Sequence, residues 1–70
     1  MYGERMKLLR KERKVPQQQL ADLMGVKIRG YQYYEKEQAE PTINALIALA
    51  DFYDVSIDYL VGRSDHRERM

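Results

Sequence analysis

Apolar side chains recur along the chain at helical spacing, and no stretch alternates apolar and polar residues between turn signals, so the sequence reads as all-α. Five short helices follow from the pattern. Tyr2, Met6 and Leu9, at i, i+4 and i+7, share one face of a first helix from Tyr2 to Arg13 whose other positions are mostly charged. Lys14 and Val15 make a corner. Pro16 suits the first turn of a helix, where its missing N–H would have no intrahelical partner. The second helix, Gln17 to Met24, then buries Leu20, Ala21 and Met24. Gly25 ends it in the positive-φ conformation that a helix C-terminus favours, with Val26 following as an apolar plug. A third helix covers Lys27 to Lys36, with Tyr31 and Tyr34 inward and Tyr33 outward.

After the polar loop EQAEP (37–41), Thr42 offers its hydroxyl as the cap of a fourth helix reaching Tyr53. Between Ile43 and Phe52 only Asn44 and Asp51 are polar, so this helix is expected at the centre, with more apolar faces than a small domain can surround. Ser56 caps a short fifth helix that presents Ile57, Leu60 and Val61 and closes at Gly62. Residues 63–70 have no apolar period and are expected to be a polar, disordered tail, which leaves 1–62 as one domain.

Composition narrows the chemistry. With no cysteine there is neither a disulfide framework nor a thiolate zinc site, so stability must come from packing in what reads as a reducing compartment. The apolar run of the fourth helix falls far short of the ~20 residues that cross a bilayer. No secretory signal precedes the charged first helix, and a cytoplasmic location is expected. His66 lies in the polar tail without convergent ligands or a pocket, so neither a metal site, a catalytic dyad, a small-molecule site nor an enzyme is expected.

The net charge of +1 conceals a polarised molecule: residues 1–36 carry nine Lys/Arg against four acids, and the remainder three against seven. The N-terminal half can therefore face a polyanion. Within it, QQQLADLMGVKIRGYQYYEK meets the demands of two short helices joined at a tight corner. Ala21 is small where the helices cross, Gly25 makes the turn, and Leu20, Met24, Val26, Tyr31 and Tyr34 fill the angle. This is the pattern of a helix-turn-helix, whose second helix enters the DNA major groove.

Taken with ERMKLLRKERKVPQQQLADLMGV, Glu35 after the tyrosine pair, the Pro41 loop, INALIALADFYDVSIDYLVG and the closing GRSD, the sequence resembles the Cro and phage-repressor type of helix-turn-helix transcriptional regulator, also called Xre-like or lambda-repressor-like, over residues 4–65. The resemblance implies a compact five-helix domain that binds operator DNA, usually as a homodimer, without metal or cofactor. It makes Gln17 a backbone-phosphate contact and puts Ile28, Arg29, Gln32 and Tyr33 on the exposed face of the recognition helix. Side-chain chemistry fits that placing, since Arg29 can donate twice to guanine, Gln32 can pair with adenine, and Ile28 can touch a thymine methyl. Lys27, Lys36 and the start of helix four around Thr42 and Asn44 are the further phosphate candidates. The resemblance also pairs Arg10 with Glu35. Phe52, Tyr59 and Val61, apolar and left over near the C-terminal half, are the expected dimer face.

Three positions depart from the family pattern. Lys27 replaces the usual Ser or Thr cap, Gly30 sits inside the recognition helix, and Glu37 replaces a glycine. Glu37 and Glu40 make the following loop acidic, so no DNA contact is assigned to 37–40. The rival reading is a protein-interaction module, an adaptor or antitoxin-like partner, that offers helix four or five of the same scaffold to another protein.

Overall fold

Local caps and left-handed turns set several of the helix ends. The computed structural model describes residues 2–69 and contains α1 (Tyr2–Arg13), α2 (Gln17–Met24), α3 (Ile28–Glu35), α4 (Ile43–Tyr53) and α5 (Ile57–Leu60), with no strand among the described residues. α1 closes through Lys14, left-handed at φ 55°, as the Val15 N–H returns to the Arg10 carbonyl at 3.0 Å. α2 closes the same way through Gly25, at φ 72°, with the Val26 N–H on the Ala21 carbonyl at 3.0 Å.

α3 is one residue shorter at each end than the sequence suggests. Lys27 is extended, φ −77° and ψ 157°, because it occupies the cap position, and its side chain makes no capping bond. Beyond Lys36, Glu37 is left-handed at φ 58°, where the family pattern has a glycine. α4 starts at Ile43 because Thr42 is its cap, the hydroxyl accepting from the Ala45 N–H at 3.1 Å. Ser56 caps α5 likewise, accepting from the Tyr59 N–H at 3.0 Å.

The core joins Met6 and Leu9 of α1, Leu20, Ala21 and Met24 of α2, Tyr31 of α3, Leu49, Ala50 and Tyr53 of α4, and Leu60 of α5. α2 packs on both α3 and α4, while α1 packs on α3 and α5. α4 is central, and the rest of the domain does not surround it. Ala45, Leu49, Ala50 and Tyr53 are buried, but Ile43 and Ile47 remain 62% and 41% exposed. These two share a stripe at i, i+4 that no other helix covers.

Residues 63–69 form no helix, and Met70, the end of the expected tail, lies outside the described residues. The expected disorder rests on the absence of an apolar period, but charged and backbone contacts connect 63–69 to the domain. The Arg67 guanidinium grips Glu12 of α1 at 2.7 and 2.9 Å, the Arg67 carbonyl accepts from the Ser56 N–H at 2.9 Å, and Arg5 reaches Asp65 at 2.9 Å. Among the described residues no helix is long and apolar enough to cross a membrane.

Candidate nucleic-acid interface

Tyr31 fixes the rotation of α3. Its ring is fully buried and Tyr34 is half-buried on the same side, which turns Ile28, Arg29, Tyr33 and Lys36 outward. Ile28 is 38% exposed and Tyr33 42%. Lys27, Arg29 and Lys36 have no acidic partner among the described residues, so this face is basic.

Gln32, the fourth expected reader, is half-buried because its Nε2 donates to Gln17 Oε1 at 3.0 Å. The structure thus joins a proposed base reader to a proposed phosphate contact across the corner of the two helices. No sequence signal announces this pairing, since two glutamines fifteen residues apart carry no periodicity.

Behind the face, α3 is tied to α1. The Arg10 guanidinium donates to both carboxylate oxygens of Glu35, at 2.7 and 3.1 Å, and the Tyr31 hydroxyl donates to the same carboxylate. The side chains are 18% and 5% exposed, so the expected pair forms and is largely withdrawn from water. Burial pushes the Glu35 carboxyl up, but hydrogen bonds from Arg10 and Tyr31 leave it below the usual carboxylate range. Burial, and then the bond to Glu35, push the Tyr31 phenol up.

Gly3 completes the junction, a role that no motif assigns to it. A Cβ there would collide with the Glu35 carbonyl oxygen and lie 2.8 Å from Glu37 Cγ, so α1 reaches α3 only because residue 3 has no side chain. Its one sequence signal is a glycine inside an otherwise good helix. Gly30 differs, since a Cβ there would meet Val26 at 3.6 Å, an ordinary contact, and no close backbone approach accounts for it.

Thr42 and Asn44 are exposed at the start of α4, although the Thr42 hydroxyl is already engaged as the cap. Of the expected dimer face, Phe52 and Val61 are half-buried. Tyr59 does not belong there: it is 4% exposed, its ring held between the Arg5 guanidinium at 4.1 Å and that of Arg67 at 5.1 Å. Its own chain covers it.

Comparison with known proteins places this geometry among related molecules. The helix-turn-helix family profile matches residues 6–60. The chain is 42% identical over 65 residues to the HTH-type transcriptional regulator YobD of Bacillus subtilis, covering 93% of this chain and 58% of YobD. A crystal structure of a transcriptional regulator from Listeria innocua superposes with a TM-score of 0.85 at 37% identity, over 89% of this chain and 58% of that one. The P22 c2 repressor, crystallised with a synthetic operator, superposes with a TM-score of 0.82 at 31% identity, over 91% of this chain and 97% of the crystallised chain. The chain therefore spans little more than half the length of YobD.

Proposed function

The chain belongs to the helix-turn-helix family, and from that premise we propose that it is a cytoplasmic, sequence-specific double-stranded-DNA-binding regulator that represses transcription by occupying an operator. α3 lies in the major groove. The observation that carries the proposal is the face of α3 itself: a buried Tyr31 stripe locks the helix so that Ile28, Arg29 and Tyr33 project outward beside unpaired Lys27 and Lys36. The likeness to the P22 c2 repressor, whose structure was determined with operator DNA, supports it.

Roles follow from side-chain chemistry. Arg29 donates to guanine O6 and N7, and Ile28 packs on a thymine methyl. The Gln32 amide keeps its Oε1 and one N–H free after donating to Gln17, and adenine N6 and N7 require that acceptor and that donor. Tyr33 contacts the groove edge. Gln17, Lys27, Lys36, Thr42 and Asn44 hold phosphates, which fix position without reading sequence. The activity is binding, with no catalytic step and no cofactor. Two copies bind together, with apolar surface available on α4 at Ile43 and Ile47 and at half-buried Phe52 and Val61.

A mobility-shift titration with random duplex at low salt tests the class of function. A DNA-binding regulator retards the duplex, and the retardation weakens steeply as salt rises. A chain that retards no duplex at low salt is not one, and the protein-interaction reading then replaces it.

A further inference from the structure

The basic residues of α1 and its corner divide by what they touch. The three arginines are all engaged within the protein: Arg5 stacks on Tyr59 and pairs with Asp65, Arg10 bridges to Glu35, and Arg13 donates to the Phe52 and Tyr53 carbonyls at 3.3 and 2.9 Å. The three lysines, Lys7, Lys11 and Lys14, are all exposed, and their ammonium groups have no ion-pair or hydrogen-bond partner among the described residues. Exposed ammonium groups left unpaired while every arginine nearby is used remain available to an anion from outside.

Their position says which anion. α1 has one flank toward α5 and the tail, where Arg5 and Glu12 lie, and another toward α3, where Gly3 abuts the Glu35 carbonyl and Arg10 holds the Glu35 carboxylate. Lys7 is one turn from both Gly3 and Arg10, so it belongs to the α3 flank. The Lys7 charge also helps to lower the Glu35 carboxyl. Lys11 follows at i+4. Lys14, in the left-handed corner, lies three residues before Gln17, whose side chain bonds Gln32 of α3. The row runs beside the recognition helix and ends at the corner where α2 begins.

We propose that Lys7, Lys11 and Lys14 are a row of contacts to the phosphodiester backbone bordering the groove that α3 enters. This rests on the DNA-binding function proposed above and extends its footprint along α1. Lysine suits the task, being a compact charge on a flexible stem that meets phosphates without demanding a fixed geometry. Such contacts raise affinity for any duplex and contribute no sequence preference.

The test compares the full chain with the triple variant Lys7→Gln, Lys11→Gln, Lys14→Gln, using fluorescence anisotropy with a labelled random-sequence duplex across a potassium chloride series. The slope of log K against log salt is expected to fall by about 0.9 for each phosphate that is no longer neutralised, and affinity at 0.1 M salt to drop by roughly tenfold per phosphate. The triple Lys→Arg variant is expected to restore the slope. Thermal midpoints should stay close to the parent's, since the three side chains are exposed and make no ion pair or hydrogen bond among the described residues. Arg63→Gln, an exposed charge in the tail, controls for net charge and should leave the slope near the parent's. A triple variant with the parent's slope, while Lys36→Ala still lowers it, overturns the row and leaves the DNA-binding function standing. An equal effect per charge removed from Arg63→Gln also overturns the row, as the effect would be one of net charge alone. A parent that binds no duplex at any salt overturns both.

Discussion

Replacing Arg10 with alanine leaves the Glu35 carboxylate, 5% exposed, facing the Tyr31 hydroxyl without its guanidinium. Removing one member of a buried pair strands the other, and the expected cost is about 2–4 kcal/mol, read as a lower denaturant midpoint at neutral pH. A midpoint equal to the parent's would show that the pair does not support the fold. The same carboxyl gives a pH signature. Because its folded pKa is lowered, its contribution is fully present above the unfolded value of ~4.3 and is lost as the pH falls through the folded value. The parent's margin over Glu35→Gln should therefore narrow as the pH drops below about 4; a constant margin would mean that Glu35 titrates alike in both states. Two glycines predict opposite signs for one substitution. Gly3→Ala drives a methyl into the Glu35 carbonyl and should destabilise by about 1–3 kcal/mol. Gly30→Ala meets only an ordinary contact and should stabilise α3 by up to ~1 kcal/mol. Thermal unfolding of the pair checks both, and matching shifts would contradict the close approach at Gly3. From sequence the two look alike, because the difference depends on which neighbour crosses each helix.

At the scale of the element, what is local was legible. Thr42 and Ser56 cap α4 and α5 as their hydroxyls predict, Gly25 takes the left-handed turn, and Tyr31 faces inward at its period. What depends on partners was not. The apolar pattern of α4 could not say which stripe would lack a cover, and it fell to Ile43 and Ile47. Tyr59 reads as a spare aromatic, because cation–π contacts from Arg5 and Arg67 span distances along the chain that no periodicity records. The recognition helix yields its own contrast between reading and holding. Arg29→Ala should cost about 1–3 kcal/mol per half-site on the preferred operator and relax one base position, with less effect on random duplex. Lys36→Ala should weaken operator and random duplex by similar factors and lower the salt slope by about 1. If quantitative binding isotherms show the two variants behaving alike, α3 does not divide its labour in this way.

Over the whole molecule, charge is divided between the two halves of the chain. Basic residues concentrate in residues 1–36, which hold α1, α2 and α3, while the acids of the C-terminal half meet arginines of the tail, as in Asp51 with Arg69, or of α1, as in Asp65 with Arg5. A two-fold pair of such domains requires a palindromic site, with half-sites about 10 bp apart centre to centre. Sedimentation of the protein with a duplex of that design should show two chains per duplex, and one chain on a non-palindromic site would exclude the dimer. The central claim is that the exposed side chains of α3 read base sequence. Selection of bound sites from a random duplex library, run in parallel on the parent and on Arg29→Ala, tests it most directly. The parent should enrich a palindrome, and Arg29→Ala should enrich the same palindrome with one position per half-site relaxed; recovery of no shared sequence by the parent, or of an unchanged sequence by the variant, would contradict it.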